Sequence, residues 1–464
     1  MRHALLLVLV ALTSMAGLAV PSIGLYGYIV FGLMRPDTFS YVGPNRYSLI
    51  LAGCTLIGAA RKFPNVANLF QDPFTKGFLL LQLPIGLSVL LAVDMDLALV
   101  KYIPFLQMSL MALLIPILVE TIDELRWLIL AMGFALGFLG LKFGLYGVLA
   151  GGAHFVAGVG GFHAENNTLA LGLATALPLC WQGIFLCRKL WSKMVFSGFV
   201  FGCIAAIVMT QSRSGILSLG VALLAAIWSS KYRVRTLVVL AALALPAPLL
   251  VWDAVKSRMS TLSDPLEDAS ALSRYDVNLA SLKVIQNRPV FGAGFGADNA
   301  ARLSLRYKAI NRDKAQVVHN NYLQWAADSG ISALLLYCAI LFGAIVWLSR
   351  CASRFKETVP DFAYSADALK GALATFAVGS TFASRTNYDF IYMLLLSAGC
   401  LYRLVRERDR ELALAAQRQA VVQPDLAARL AIQATQPPPQ PVTLPRRVGL
   451  GRALRSAGRN LPPR

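Results

Sequence analysis

The sequence predicts an all-α, polytopic membrane protein with about 12 transmembrane helices and one long extracytoplasmic loop. Two observations carry this prediction. Hydrophobic residues make up 57% of the 464 residues and charged residues only 14%, a balance that differs from soluble globular domains. The hydrophobic residues are also gathered into runs of spanning length, about 20 residues for a helix that crosses a bilayer.

The apolar runs, taken in order along the chain, number twelve: 4–33, 46–60, 75–93, 97–118, 126–149, 166–187, 194–210, 213–229, 234–252, 321–349, 368–384 and 388–405. The first is too long for one straight span and contains Pro21, so it is either a kinked helix or a hairpin. We therefore divide the chain into four parts: transmembrane helices in 1–252, an extracytoplasmic loop at 253–320, further transmembrane helices in 321–405, and a disordered basic tail at 406–464.

The distribution of basic residues orients the predicted helices. The chain from Arg403 onwards carries twelve arginines against four acids, and basic residues concentrate on the cytoplasmic side of membrane proteins. Working back span by span places 350–370, 231–235, 188–193 and 61–62 on that same side, in agreement with the rule. If the first run crosses once, Arg2 is cytoplasmic as well.

The extracytoplasmic side is predicted to hold 150–165, 211–213 and 253–320. The last of these contains ten basic and seven acidic residues, and a surplus of cations on an outer face indicates an anionic ligand. The net charge of +19 is explained by basic residues that flank membrane spans and set their orientation. We therefore expect the lipid bilayer, and not nucleic acid, as a partner. The seven cysteines show no metal-ligand spacing, which predicts neither a zinc site nor a disulfide framework.

Three polar stretches stand out against the apolar background: TQSRSGILSL at 210–219, SRYDVNLASLKVIQNRPVFGAGFG at 273–296, and HNNYLQWAADSG at 319–330. In this order, and with a long outer loop between the first and the last, they resemble the signature of the O-antigen ligase and polymerase superfamily. Three more stretches are similar to the subgroup of exosortase-associated O-glycosylation ligases: MRPDTFSYVGPNR, GFLGLKFGLYGVLAGG and GFHAENNTLALGLATALPL. Together these stretches cover most of residues 30–335.

The resemblance implies a GT-C type glycosyltransferase of the bacterial inner membrane, with its active site facing the periplasm. Such enzymes take a preassembled glycan from undecaprenyl pyrophosphate and transfer it to an acceptor hydroxyl on lipid A-core, another glycan or a protein. For His319 the resemblance implies a role as general base or as a group that positions the acceptor. Taken alone, His319 is equally well explained as an interfacial histidine beside a helix cap formed by Asn320 and Asn321.

Four cationic residues are predicted to meet the donor diphosphate. The planar guanidinium of Arg213 matches a diphosphate in two-point contact, although snorkelling to outer lipid headgroups is the simpler alternative. Arg274 and Arg288 are predicted to belong to the same cradle, and each by itself is equally explained as a solvated loop charge. Lys142 lies about two turns below the outer end of its span and is predicted to bind the lipid diphosphate from within the membrane.

The remaining predicted contacts involve His163, Glu165 and Asn166, expected to touch donor or acceptor, with helix capping as the alternative. Asn320 is assigned to substrate binding. A DxD sequence occurs at Asp94-Met95-Asp96, but in a very short turn, where ordinary turn acids are the better interpretation. Because fixed cations can stabilise a departing diphosphate, we expect no metal and no other cofactor.

Two alternatives remain open. Ligation and polymerisation of repeat units share the same donor chemistry, and the subgroup resemblance favours ligation. A 12-span secondary transporter is the other class, but transporters place their coupling groups near the midplane of repeated halves. Here the polar residues gather on one face, which favours an enzyme.

Overall fold

The computed structural model describes residues 2–39, 47–150, 165–244, 269–310, 314–383 and 386–435. Within these ranges the chain forms helices joined by turns, and no strand occurs, so the predicted all-α fold is confirmed. Numbered along the chain, the α-helices are α1 Arg2–Ala19, α2 Pro21–Met34, α3 Tyr47–Ala59, α4 Pro73–Leu90, α5 Met95–Ala112, α6 Leu114–Leu118, α7 Ile122–Leu149, α8 Asn166–Leu186, α9 Leu190–Met209, α10 Arg213–Ser229, α11 Arg233–Ala244, α12 Ala269–Asn287, α13 Asp298–Ser304, α14 Asn321–Phe355, α15 Pro360–Gly379 and α16 Asp389–Thr435.

Among the described residues, 6 helical segments are long and apolar enough to cross a membrane: Pro73–Leu90, Met95–Leu118, Ile122–Leu149, Asn166–Leu186, Leu190–Met209 and Asn321–Phe355. Every predicted apolar run contains a helix, so the chain is a multi-pass membrane protein. The most enclosed of the 6 segments is α8, with 89% of its apolar window buried. It therefore forms the centre of the bundle, where it packs against α7, α9, α10 and α15.

The first apolar run is a hairpin of α1 and α2 rather than one kinked helix. Val20 is extended and Pro21 opens the second helix, because proline is favoured in a first helical turn. The two helices run antiparallel, since a Cβ added to Gly24 would lie 2.7 Å from the Cα of Gly17, and one added to Gly27 would lie 2.2 Å from Thr13 Cγ2. Glycine allows this close approach of the two backbones.

The hairpin changes the predicted location of the N-terminus. Its turn lies beside Arg61, whose guanidinium donates to the carbonyl of Leu18. Its open end lies at the start of α3, where the rings of His3 and Tyr47 are 6.5 Å apart. Arg2 and Arg61 therefore lie at opposite ends of the bundle. The single crossing that would place both residues in the cytoplasm does not occur.

Contacts between distant residues define two ends of the bundle. At the first, which we call the tail end, Lys62 pairs with Glu120 at 3.2 Å and Arg403 donates to the carbonyl of Val119. At the second, the loop end, Asn166 donates to the carbonyl of Thr210 at 3.1 Å. The tail end comprises residues 60–72, 116–124, 187–193, 229–235, 355–360 and 403–406, and the loop end comprises 90–95, 165–168, 209–213, 273–310, 314–320 and 377–382.

We expected the helix that follows His319 to run straight into its membrane span, but the structure shows a break. It breaks at Gly330, which has φ 86° and ψ 170°, a backbone conformation that favours glycine. The chain at 289–294 fills the break: Ala293 N donates to Ala327 O at 2.8 Å and Ile331 N donates to Pro289 O at 2.8 Å. Residues 321–329 are therefore a separate short helix at the loop end.

The C-terminal tail also departs from the expectation. The compact unit ends at Arg406, but α16 continues to Thr435, so 406–435 is helical rather than disordered. The stretch ERDRELALAAQRQA at 407–420 is rich in arginine, glutamate, leucine and alanine, all strong helix formers. The predicted tail beyond Thr435 lies outside the described residues.

Candidate functional site

Arg213 opens α10 at the loop end. The preceding Ser212 is buried and caps the helix, because its Oγ accepts the N–H of Gly215 at 3.0 Å. Gln211, one residue earlier, has φ 51°, so the chain turns sharply before the cap. This turn presents the exposed Arg213 side chain at a helix N-terminus, where the helix dipole adds positive potential to the guanidinium.

The start of α8 is fastened to the same turn. Besides the bond from Asn166 to Thr210, the Ser212 hydroxyl donates to Asn167 Oδ1 at 2.7 Å. Glu165 precedes the helix and is exposed. The structure thus places Asn166, with Glu165 before it, beside the turn that carries Arg213. His163 lies outside the described residues.

His319 stands at the start of the short helix 321–329 and is exposed. Asn320 caps this helix, because its Oδ1 accepts the N–H groups of Tyr322 at 3.0 Å and Leu323 at 3.1 Å. Asn321 is buried and donates instead to Tyr337 Oη at 3.2 Å. The side-chain oxygen of Asn320 therefore holds the helix start, which fixes the backbone that carries His319.

The Arg213 turn and the His319 helix meet through the end of α15. Tyr322 Oη donates to Ala377 O at 2.7 Å. Two residues later, Gly379 packs so closely on α10 that an added Cβ would lie 2.3 Å from Ser218 Oγ. Ser218 is five residues after Arg213, and Tyr322 is three residues after His319. Arg213 and His319 therefore lie at the same end of the bundle, with the C-terminal end of α15 between them.

The structure separates the two loop arginines. Ser273, next to Arg274, donates to Gln316 Oε1 at 3.0 Å, and Gln316 lies three residues before His319. Arg288 follows the far end of α12, about 21 Å away at 1.5 Å per residue. There its guanidinium donates to Leu91 O at 3.3 Å, one of the terminal carbonyls that a helix leaves unsatisfied.

The described part of the outer loop is a packed structure. The carboxylate of Asp276 accepts the N–H groups of Ala309 at 2.8 Å and Ile310 at 3.0 Å. Lys308 is buried and donates to Gln316 Oε1 at 2.8 Å. These bonds tie α12 to the segment that leads into His319, so the loop positions this residue through a folded scaffold.

Asp328 holds the outer loop against helix 321–329, a role that the sequence motifs did not indicate. It is fully buried, and its carboxylate accepts the N–H of Ala297 at 2.9 Å and a hydrogen bond from Gln324. The GAGFG stretch at 292–296 thus packs against helix 321–329 and serves as a structural turn. The signal available in the sequence was a single acid within the apolar run 321–349, where an ionisable residue needs a specific partner.

The DxD sequence is engaged in structural contacts. Asp94 caps α5 by accepting Leu97 N at 3.2 Å and lies 3.6 Å from Arg302. Its backbone is bound on both sides by the buried Asn299, at 2.9 and 2.8 Å. Within the described residues, no group of three or more histidines, cysteines or acids is arranged to hold a metal ion.

Lys142 lies on the exposed side of α7, on the same face as Phe134, Phe138 and Leu145. Its ammonium group is 5.4 Å from the centroid of the Phe143 ring. The opposite side of α7 packs on α9, where a Cβ added to Gly144 would lie 2.4 Å from Gly202 O. The lysine therefore faces away from the α7–α9 contact, and its long stem can carry the charge towards the loop end.

Comparison with known proteins identifies the region around the site. Residues 198–338 match the family described as O-antigen ligase. The matched region begins in α9 and ends in α14, and it contains Arg213, Arg274, Arg288, His319 and Asn320. The predicted resemblance to the O-antigen ligase superfamily is confirmed. None of the curated proteins matches the chain.

Proposed function

From the match of residues 198–338 to the O-antigen ligase family, we propose that the protein is an inner-membrane glycosyltransferase that moves a preassembled glycan from undecaprenyl pyrophosphate to an acceptor hydroxyl on the periplasmic face. One observation carries the proposal. The capped turn of Arg213 and the capped helix start of His319 lie at the same end of the bundle, within the matched residues. A cation and a base at one membrane surface suit a lipid diphosphate donor and a polar acceptor.

In the proposed reaction, His319 takes the proton from the acceptor hydroxyl as the oxygen attacks the anomeric carbon of the glycan. The bond from that carbon to the diphosphate oxygen breaks, and undecaprenyl pyrophosphate leaves with the bonding electrons. Arg213 stabilises the negative charge that grows on the diphosphate. The helix N-terminus behind Arg213 favours the same charge.

We assign roles to the other predicted residues from their positions relative to Arg213 and His319. Asn166 and Glu165, fastened to the Arg213 turn, contact donor or acceptor, and Arg274 meets the substrate on the side nearest Gln316. Lys142 supplies positive charge to the donor from the exposed side of α7. Asn320 supports His319 through the helix cap, and Arg288 holds the outer loop on α4, so both affect substrate binding through position.

We propose that arginine, and not a metal ion, supplies the charge that stabilises the leaving diphosphate. Arg213→Ala is expected to lower glycan transfer about 10²–10³-fold, the usual loss when one stabilising group for a developing anion is removed. Excess chelator is expected to leave transfer by the native protein unchanged. The measurement is the initial rate of transfer in membranes, with Arg233→Ala as a control because that exposed arginine lies at the tail end. Loss of transfer on chelation would contradict the metal-free proposal.

Ligation to a lipid or protein acceptor is the proposed activity, and polymerisation of repeat units is the competing one. A strain that lacks this protein is expected to accumulate undecaprenyl-linked glycan polymer, because assembly continues while transfer to the acceptor stops. The measurement is gel electrophoresis of lipid-linked and surface glycans, with the plasmid-borne native chain as control. Accumulation of single repeat units would instead assign the protein as a polymerase.

A further inference from the structure

A cavity of about 570 Å³ lies at the tail end of the bundle, opposite the proposed reaction site. It is lined by the start of α7, the end of α8, the start of α9 and Tyr26 of α2. Its lining contains three basic residues, Arg126, Arg188 and Lys189, together with a long apolar wall. None of the proposed reaction chemistry uses this cavity.

The wall of the cavity becomes apolar with depth. From Arg126 the lining continues along α7 through Leu130 to Phe134, a distance of about 12 Å at 1.5 Å per residue. Trp127 and Trp191 flank the opening and are 55% and 64% exposed. Tryptophan concentrates where a bilayer meets water, so the opening lies at the membrane surface and the apolar wall lies at the depth of acyl chains.

The charges at the opening are unbalanced. Arg126 is only 6% exposed, and its Nε has no hydrogen-bond partner among the described residues. Its Nη1 lies 3.1 Å from Asp123 Oδ1, and the same oxygen is 2.8 Å from Arg188 Nη2. One carboxylate oxygen thus pairs with two guanidinium groups, and Lys189 adds a third cation to the lining of the cavity. A buried polar atom without a partner is costly, so an anion at this position would stabilise the site.

The start of α9 adds a second group of donors. Lys189 stands at the N-cap position, where an ammonium group cannot accept the N–H groups of the first turn, so this helix start has no side-chain cap. Lys189, Trp191 and Ser192 all line the cavity. The first N–H groups of a helix lack partners within that helix and bind anions well. Burial raises the pKa of the Cys187 thiol in the same wall, while the positive charges of Arg126 and Lys193 oppose that rise.

We propose that this cavity binds an anionic phospholipid from the leaflet at the tail end. The phosphate lies between Arg126, Arg188 and the start of α9, and an acyl chain follows Leu130 and Phe134. The three cations select a negative headgroup, and the apolar wall selects a lipid over free phosphate. The site is independent of glycan transfer because it lies at the other end of the bundle.

Native mass spectrometry of the full-length protein in detergent tests the proposal. Dioleoylphosphatidylglycerol is expected to bind with one tight site, and dioleoylphosphatidylcholine, with the same acyl chains, is expected to bind at least about tenfold more weakly. The double variant Arg188→Gln/Lys189→Gln is expected to weaken phosphatidylglycerol binding on the order of tenfold. Its residues are at the surface, so the variant should fold. Val195→Trp is expected to weaken binding by filling the cavity without changing its charge.

The control is Arg233→Gln, since Arg233 also stands beside a tryptophan at the tail end, 5.1 Å from the ring of Trp228, but outside the cavity. It should bind phosphatidylglycerol as the native protein does. Equal binding of the two lipids, or unchanged binding in both cavity variants, would overturn the proposal. Full displacement of the lipid by an equal concentration of inorganic phosphate would also overturn it, because the site would then recognise phosphate alone.

Discussion

Replacing His319 by alanine is expected to lower the rate of glycan transfer about 10²–10⁴-fold, the range for loss of a general acid or base. The fold should be preserved. His319 is exposed, and the cap of the following helix comes from Asn320. The measurement is transfer of glycan in a strain that lacks the chromosomal copy, with the amount of inserted protein measured in parallel by immunoblot.

Two further variants separate the role of His319 from a general effect of histidine loss. His3→Ala removes a histidine whose ring lies against Tyr47 at the open end of the α1–α2 hairpin and should leave transfer unchanged. His319→Gln keeps a polar side chain but cannot accept a proton near neutral pH, so its rate should be as low as that of the alanine variant. Native activity in His319→Gln would contradict the general-base assignment.

The helices were predictable because the bilayer imposes a simple requirement on the chain. Each span must carry a run of apolar residues, and such runs are visible in the sequence. The sequence did not show whether the first apolar run forms a kinked helix or a hairpin. Pro21 signals a break, but hairpin and kink differ only in which residues meet, and the contact of Gly17 with Gly24 depends on packing between helices.

The candidate site was predictable in part. Arg213 and His319 could be placed at one face because the alternation of spans fixes which connections share a side. Arg274 and Arg288 were assigned to one cradle because both lie in the same outer loop. The structure sets them at opposite ends of the single helix α12, a separation that follows from 1.5 Å per residue once the stretch is known to be helical.

Asp328 was missed because one of its two partners is a distant backbone group. Gln324, four residues earlier, donates to the Asp328 carboxylate, but the N–H of Ala297 leaves no side chain to find in the sequence. Backbone groups are also the main partners in the described part of the outer loop. Its contacts with the ends of α4 and α14 are mostly backbone hydrogen bonds, which any residue except proline can donate. Sequence patterns therefore indicate candidate residues for the site better than they indicate the scaffold that holds those residues.

Replacing Gly330 by alanine is expected to prevent the outer loop from docking and to lower the free energy of unfolding by about 2–6 kcal/mol. The residue has φ +86°, which strains any side chain, and an added Cβ would lie 1.9 Å from Val290 O and 2.3 Å from Val290 C. Both are backbone atoms. Because Ile331 N is bonded to Pro289 O at 2.8 Å, the neighbouring chain cannot retreat without losing hydrogen bonds.

The measurement is the thermal unfolding midpoint of the purified protein in detergent, together with protease sensitivity of the outer loop. Gly343→Ala is the matched control, since Gly343 lies in the same helix α14 and an added Cβ there meets no atom within 4 Å among the described residues. That variant should be neutral or slightly more stable, because alanine favours helix over glycine by about 1 kcal/mol. An unchanged midpoint and an intact loop in Gly330→Ala would contradict the docking of 289–294 into the helix break.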